Sequence, residues 1–321
     1  APITQLLEAW IPQLTSKTQN LTPFQLENID FIEKCLVCPP GYPNKIIFCL
    51  DSALKNNAKN LLALLKPQLD QQLIRVGGEN DGGYVMLSPR FLPFEKVLSF
   101  GISNYSPWDL EIAEMGFVVH QWDGTISAPP DKHSNLVFHN HNVTGCAEPV
   151  DGSKNLAQIL QDCDCVNSTE LLLQIDIEGA EWMFFSEMEN HDLLKFNQII
   201  GEFHNLNVLD DAEFAQQRAV FEKINETHEA VYIHSNNYCD YYFFDDFSYF
   251  PDTIEITFVR RDYTSKIPRV DGFTQLNYPN LAELPDPKFI FWGGGLVSDW
   301  EALRGFKFKV QHPVLGYWRL L

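Results

Sequence analysis

The chain has 321 residues, of which 45% are hydrophobic and 21% are charged, so it is suited to one large folded domain. Its 43 acidic and 23 basic side chains give a formal net charge of −20 at pH 7, which argues against nucleic-acid partners and anionic membranes. No run approaches the roughly 18 to 20 apolar residues that span a bilayer, so no membrane span is expected.

The seven cysteines are an odd number in a chain that has room for a full hydrophobic core. This count favours a reducing compartment over a disulfide scaffold, and we expect a cytoplasmic protein. Cys35 and Cys38 form a C-x-x-C pair, and Cys163 and Cys165 form a C-x-C pair. Ordinary free thiols are the favoured interpretation, because the two pairs lie far apart and lack the supporting spacing of a zinc motif.

Residues 1–70 carry apolar side chains at helix-like intervals, which predicts a helical N-terminal prefix packed on the main domain. A stretch rich in Pro and Gly at 39–43 divides the prefix into two parts. The second helical part is predicted from about Asp51 to Leu65, and either Asp51 or Ser52 is expected to be its N-cap.

Between residues 71 and 262, strand-like runs alternate with helical stretches, which predicts an α/β domain with a mostly parallel sheet of the Rossmann type. The predicted strands are 96–100, 117–122, 135–139, 171–177, 198–203, 229–234 and 253–260. The predicted helices are 107–115, 155–161, 181–194 and 212–226. Because no long helix separates the last two strands, they are expected to form an antiparallel hairpin at one edge. Residues 263–321 lack periodicity and are expected to form an irregular extension packed on the domain.

Ligands of such sheets bind outside the carboxyl ends of the strands, so residues at the predicted strand ends are candidate site residues. The first strand ends in Ser99, Phe100 and Gly101. Gly101 would let a ligand approach the backbone closely, and the next helix N-terminus would offer N–H groups to a carboxylate. The second strand ends at Asp123 and Gly124, where an acidic side chain can accept hydrogen bonds from ribose hydroxyls.

The next strand ends bring further polar residues to the same edge. The third strand ends near Asn140, the fourth in Asp176, and the fifth in Glu202 and His204. One interpretation is a general base that takes a proton from a substrate hydroxyl. A second is a divalent metal held by Asp176 and Glu202, and a third is a structural role for the acidic residues at the next helix. We favour the base over the metal.

The run 174–182, QIDIEGAEW, resembles the K-I-D-I/V-E-G-x-E segment of the FkbM-type S-adenosylmethionine-dependent methyltransferases. Two further segments are similar to segments of that family. One is the run 199–204, IIGEFH, and the other is the strand that ends at Asp123, where the family has Glu. The resemblance covers about residues 72–260. It implies a class I methyltransferase sheet, S-adenosylmethionine as cofactor, and methyl transfer to a hydroxyl of a small molecule or glycan.

Two loops bear on the cofactor that this resemblance implies. The family's first loop reads D-V-G-A-N-x-G, whereas the residues around Gly101 read S-F-G-I-S-N-Y and lack the acidic residue and the second glycine. Upstream, the run 75–84, RVGGENDGGY, is similar to a segment of some relatives. Its glycines fit either a β-hairpin or a loop folded over the cofactor. In the second case Arg75 would pair with the cofactor carboxylate, and Asp81, Gly82 and Gly83 would also bind the cofactor.

Two other functions are weaker alternatives. A nicotinamide-dependent sugar-modifying enzyme on a related sheet would need a G-x-G-x-x-G run after the first strand, and Gly101 stands there alone. A non-catalytic carbohydrate-binding protein would use the aromatic run 238–250, YCDYYFFDDFSYF. We expect most of those aromatic side chains to be core contacts of the edge hairpin instead.

Overall fold

The computed structural model of the protein describes residues 46–49, 51–67, 73–149, 152–244, 248–264, 276, 278–284 and 286–287. The first part of the predicted prefix and the Cys35–Cys38 pair lie outside these residues. The described strands are β1 (Ile46–Cys49), β2 (Leu73–Val76), β3 (Tyr84–Leu87), β4 (Lys96–Phe100), β5 (Val119–Trp122), β6 (Leu136–His139), β7 (Leu171–Ile175), β8 (Phe196–Phe203), β9 (His228–Ser235), β10 (Tyr241–Phe244), β11 (Tyr249–Pro251) and β12 (Ile254–Arg260). The described helices are α1 (Ser52–Leu64), α2 (Pro107–Glu114), α3 (Leu156–Asp162), α4 (Glu181–Glu187), α5 (Asn190–Leu193), α6 (Asp211–Thr227) and α7 (Arg261–Thr264).

The main sheet has seven strands in the order β6-β5-β4-β7-β8-β12-β9. The pairs from β6 to β8 are parallel, and β12 runs antiparallel to both of its neighbours. The predicted α/β fold with a mostly parallel, Rossmann-like sheet and an antiparallel pair at one edge is therefore confirmed. The last described strand, β12, is inserted between β8 and β9, so β9 is the edge strand.

Hydrophobic clusters cover both faces of this sheet. One face packs on α1, α3, α4 and α6 through residues such as Leu61, Ile159 and Phe221. The other face packs on α2 and on the β2–β3 hairpin through residues such as Ile112 and Met86. Because strands buried on both faces need apolar side chains at successive positions, β7 has the continuous sequence LLLQI rather than an alternating one.

Two predicted elements around β7 end earlier than the sequence pattern indicates. The strand stops at Ile175, and the chain then turns through left-handed conformations at Glu178 (φ 57°) and Gly179 (φ 103°). The predicted helix 181–194 was wrong as one element, because Met188 is extended and the residues on either side of it form α4 and α5. Glu189 begins α5 with a capping box, which satisfies N–H groups that a continuous helix would bond internally.

The prefix contains a strand as well as a helix. The predicted helix is confirmed as α1, and the Asp51 side chain caps it by accepting a hydrogen bond from the Ala53 N–H at 2.8 Å. A wholly helical prefix was wrong, because β1 pairs in parallel with β10 in a small sheet completed by β11. The partner of β1 lies almost 200 residues away in sequence, so this pairing depends on tertiary contacts that local periodicity does not report.

Beyond the end of α7 at Thr264, the described residues of the C-terminal extension contain no helix or strand, and they contact the sheet. Asn237 donates hydrogen bonds to the carbonyls of Leu281 and Leu284, and Asn280 donates to the Glu255 carboxylate. These contacts bring the extension to the carboxyl ends of the central strands. Among the helices that the structure describes, none combines the length and apolar character needed to cross a membrane.

Candidate active site

A cavity of about 410 Å³ opens at the carboxyl ends of β4, β7 and β8, within the size range of small-molecule sites. Seven of the predicted site residues line it: Asp81, Gly82, Ser99, Gly101, Asp176, Glu202 and His204. The remaining lining residues are Tyr84, Ile102, Ser103, Tyr105, Ser106, Trp108, Asp109, Gln174, Glu178, Asn236, Tyr238, Thr253, Asn280 and Leu281. The cavity therefore lies where a doubly wound sheet binds its ligand.

Gly101 allows the loops after β4 and β7 to touch. Its φ of +77° is in the left-handed region, and a Cβ atom built on it would lie 1.6 Å from the Asp176 carbonyl oxygen. The Asp176 N–H donates to the Phe100 carbonyl at 2.9 Å. A glycine is thus required by close backbone approach, and this approach places the Asp176 side chain at the cavity wall.

His204 lies among four carboxylates at the base of the cavity. Its Nδ1 is 3.2 Å from Glu181 Oε1, and its Nε2 is 3.7 Å from Asp176 Oδ1. The same Nε2 lies 3.5 Å from Glu202 Oε1 and 3.8 Å from the exposed Glu178 carboxylate. The structure thus brings the three predicted catalytic residues together, with a single imidazole shared among the acidic groups.

These groups shift one another's pKa values. Burial alone would lower the pKa of His204, but the hydrogen bond to Glu181 and the neighbouring carboxylates outweigh it and raise that pKa to about 10. Burial raises the pKa of Asp176 to about 7, against the opposing effect of His204. Burial and then the charge of Asp176 raise the pKa of Glu202 well above its ordinary value. Near neutral pH, His204 is therefore cationic and Asp176 is poised to exchange a proton.

We predict that His204→Gln destabilises the protein much more at pH 6.5 than above pH 10. The pKa of His204 is about 10 in the fold and 6.5 in the reference state, so its stabilising charge is fully present below pH 6.5 and is lost as pH rises through about 10. Thermal melts of both proteins at the two pH values measure the difference. His191→Gln is the matched control, because that side chain is 75% exposed. An equal loss of Tm at both pH values would contradict the assignment.

Hydrogen bonds orient the acidic groups. The Tyr84 hydroxyl donates to Asp176 Oδ2 at 3.0 Å, and the Asn236 amide donates to Glu202. The backbone N–H of Ile177 and the backbone N–H of Gly179 each donate to one oxygen of the buried Glu181 carboxylate. Sequence reasoning missed Tyr84 and Asn236 as site residues. Tyr84 is the last residue of the run RVGGENDGGY, and that motif could have identified it as a site residue. Asn236 has no motif around it.

The glycine-rich run forms the turn of the β2–β3 hairpin, and this turn reaches the cavity. The Arg75 guanidinium donates to the carbonyls of Gly78 and Asn80, and it also lies over the Tyr278 ring. Arg75 therefore holds the turn and the extension, and the structure does not place it among the lining residues. Asp81 does line the cavity, and burial raises the pKa of its carboxyl group.

Phe100, Gly83, Asp123, Gly124 and Asn140 lie outside the cavity wall. The Asp123 carboxylate accepts hydrogen bonds from the N–H groups of Ile102 (3.1 Å) and Ser103 (2.8 Å), two residues that line the cavity. These bonds and those from Thr125 outweigh burial and keep the pKa of Asp123 below its ordinary value. Asp123 thus supports the first loop. The Gly124 N–H donates to the Asn142 side chain.

Unpartnered polar atoms and the charge of the wall indicate what the cavity can hold. The buried indole N–H of Trp108 and the Asn280 carbonyl oxygen have no hydrogen-bond partner among the described residues. The Ser106 side chain does not cap α2, so the start of this helix leaves backbone N–H groups available. Five carboxylate residues and no Lys or Arg are found among the described lining residues, which favours a ligand with positive charge.

A metal-binding arrangement differs from the predicted one. The side-chain oxygens of Asp176 and Glu181 and a ring nitrogen of His204 lie within 4.8 Å of one another, whereas Glu202 is not in this group. A metal would require neutral His204. Because Glu181, Glu202 and Asp176 favour the charged form of this imidazole, the arrangement suits proton transfer better than metal binding.

A scan against protein-family models finds no model that matches the chain. A search of curated proteins likewise finds no matching relative. A function therefore has to be inferred from the sequence and from the geometry of this site.

Proposed function

We propose that the protein transfers a methyl group from S-adenosylmethionine to a hydroxyl oxygen of a small molecule or glycan. The observation that carries this proposal is the acidic cavity in which Asp176, Glu202 and His204 converge beside Gly101. The resemblance of the run 174–182 to the FkbM-type enzymes supplies the reaction class and the preference for hydroxyl acceptors. The antiparallel pair that ends the sheet is compatible with the class I methyltransferase layout.

The cavity fits the charge distribution of this cofactor. S-adenosylmethionine supplies an electrophilic methyl group on a cationic sulfonium, and it also carries an ammonium and a carboxylate. The unpartnered Trp108 N–H and the uncapped start of α2 can donate to a carboxylate, and the unpartnered Asn280 oxygen can accept from an ammonium. A nicotinamide dinucleotide fits less well, because its pyrophosphate would face an acidic wall without a described Lys or Arg.

Asp176 is the residue that we assign as the general base. Its pKa of about 7 is near the value at which a base accepts protons efficiently at neutral pH. The Tyr84 hydroxyl orients one carboxylate oxygen, and the other faces His204. Positioning of the acceptor supplies much of the rate, and base assistance adds about 10² to 10⁴. Burial raises the pKa of Asp176, and His204 opposes that rise, while the charge of Asp176 in turn raises the pKa of Glu202.

The carbohydrate-binding alternative loses support from the burial of its aromatic residues. Tyr241, Tyr242, Phe243 and Phe244 are buried in β10, as expected for core contacts. Tyr238 is the exception, since it is 49% exposed and lines the cavity. The run therefore does not present a continuous aromatic surface to a sugar.

Isothermal calorimetry with S-adenosylhomocysteine, NAD and simple sugars tests the proposal. We expect saturable binding of S-adenosylhomocysteine and none of the other two under the same conditions. Circular dichroism of the same sample establishes that it is folded. Folded protein that gives no heat with S-adenosylhomocysteine would overturn the methyltransferase assignment, and NAD binding would favour the nicotinamide enzyme.

We predict that Asp123→Ala weakens binding of S-adenosylhomocysteine at least about tenfold. The substitution removes the acceptor that holds the N–H groups of Ile102 and Ser103, so the loop along the cavity loses its support. Asp211→Ala, at an exposed position in the first turn of α6, is the control and should bind normally. Wild-type affinity in Asp123→Ala would show that this loop does not contact the cofactor.

A further inference from the structure

A second cluster of ligand-type side chains lies on the α3 side of the sheet. It consists of His120 on β5, His139 on β6, and Cys163 directly after α3, and none of them lines the cavity. One side-chain donor atom of each lies within 4.8 Å of the other two. His120 Nδ1 and His139 Nε2 are 3.1 Å apart. His120 and Cys163 are 8% and 2% exposed, so the cluster is largely shielded from solvent.

Strand register explains why the two histidines meet. Residues two apart on a strand share a face, so His120 and Trp122 point to the same side of β5. Trp122 is the register partner of His139 on the parallel strand β6, which brings all three rings together on one face. The helix α3 packs on this face, and its last turn ends at Cys163, whose N–H donates to the Ile159 carbonyl.

The donor set and its spacing fit a tetrahedral cation. Two imidazoles and one thiolate are the ligand types that zinc prefers, and three protein ligands leave a fourth position for water. Zinc–nitrogen distances of about 2.0 Å and zinc–sulfur distances of about 2.3 Å place the ligand atoms roughly 3.3 to 3.7 Å apart. The two histidine nitrogens are 3.1 Å apart, slightly closer than this range, and the Cys163 sulfur lies within 4.8 Å of both, so small side-chain movements would reach the tetrahedral spacing.

The Trp122 side chain provides an independent indication of a ligand. It is 1% exposed, yet its indole N–H makes no hydrogen bond of ordinary geometry to any described residue. The indole ring stacks on His139 with 4.0 Å between ring centroids and 5° between planes. Burial raises the pKa of the Cys163 thiol, and the nearby Trp122 N–H only partly opposes this rise. An N–H donor beside a sulfur stabilises a metal-bound thiolate, and stacking holds the imidazole plane.

We propose that His120, His139 and Cys163 bind one divalent cation of the zinc class. Binding forms two metal–nitrogen bonds and one metal–sulfur bond, and the Cys163 thiol releases its proton to solvent. The cation would join β5, β6 and the end of α3. Since Asp123 directly follows Trp122, the site would also brace the strand end that supports the first loop of the cavity.

Other charged groups lie around the cluster without completing it. Lys96 donates to the carbonyls of Cys163 and Asp164, so its ammonium is engaged with backbone. Asp162 forms an ion pair with Lys154 at 3.1 Å. His141 interacts through Nδ1 with the Gly152 carbonyl. Among the described residues on this face, the group that could hold a metal ion therefore consists of His120, His139 and Cys163.

Equilibrium dialysis of the full chain, freed of metal by a chelator, against Zn²⁺ tests the proposal. We expect one Zn²⁺ bound per chain and a Tm that rises with Zn²⁺ concentration. Replacement by Co²⁺ should give the intense sulfur-to-metal absorption of a thiolate complex. Both Cys163→Ser and His139→Gln should lose this binding; His139 is only partly buried, which makes His139→Gln the variant more tolerant in folding.

Two control variants make the outcome decisive. Cys165→Ser alters a buried neighbouring thiol and should retain the Zn²⁺. His204→Gln disrupts the acidic cluster in the cavity and should also retain it. Folded wild-type protein that binds no Zn²⁺ would overturn the proposal. Binding that survives in His139→Gln and disappears in His204→Gln would place the cation in the cavity and would overturn it as well.

Discussion

Replacement of Gly101 by alanine is expected to destabilise the protein by more than about 4 kcal/mol, near the upper end for single substitutions. The new Cβ atom would lie 1.6 Å from the Asp176 carbonyl oxygen and 2.7 Å from its carbonyl carbon. Both contacts are with backbone, so the loops after β4 and β7 would have to separate. Urea denaturation of the two proteins measures the change, and calorimetry with S-adenosylhomocysteine should show lost binding in any protein that still folds.

Gly116→Ala is the matched control for this substitution. Gly116 also has a positive φ, +99°, but a Cβ atom there would meet no atom within 4 Å. Its cost is therefore limited to the left-handed conformation itself, about 1 to 2 kcal/mol. If both variants lost the same free energy of unfolding, the close approach of Gly101 to Asp176 would not be a determinant of the fold.

Asp176→Asn is expected to lower the rate of methyl transfer by about 10² to 10⁴ while leaving S-adenosylhomocysteine affinity nearly unchanged. The amide has the shape of the carboxylate and cannot take the hydroxyl proton. Wild-type rates should rise as pH increases through about 7, because Asp176 must be deprotonated to act as base. The variant should lose that dependence. Transfer of a labelled methyl group to the best acceptor in a screen of hydroxyl compounds measures both effects.

Glu187→Gln is a suitable control, since it makes the same carboxylate-to-amide change at an exposed position on α4. Its rate and pH profile should match the wild type. A large loss of S-adenosylhomocysteine affinity in Asp176→Asn, with an unchanged pH profile, would instead assign this carboxylate to cofactor binding. That result would contradict the base and keep the methyltransferase proposal.

Local sequence patterns predicted most of the sheet. The strand Lys96–Phe100 has the predicted bounds, and α6 differs from its prediction by one residue at each end. Such elements are read correctly because their apolar periodicity and their Gly or Asp boundaries are properties of adjacent residues. The convergence of Asp176, Glu202 and His204 was also predictable, since the carboxyl ends of neighbouring parallel strands meet at one edge.

Contacts between residues distant in sequence decided the rest. The strand β1 forms because β10 lies beside it, and Tyr84 reaches Asp176 because the β2–β3 hairpin folds over the cavity. The placement of Asn280 depends on how the extension packs against β12.

The sequence by itself determined the chain order of the seven main-sheet strands, the acidic charge and the candidate residues at the strand ends. Only the tertiary structure decided which of those residues face the cavity. Asp123, for example, supports the loop beside it. The same holds for charge states, because the pKa values of Asp176 and His204 depend on burial and on carboxylates from different strands. Strand register likewise brings His120 and His139 together, and the packing of α3 places Cys163 beside them. The sequence alone associates Cys163 with Cys165 instead.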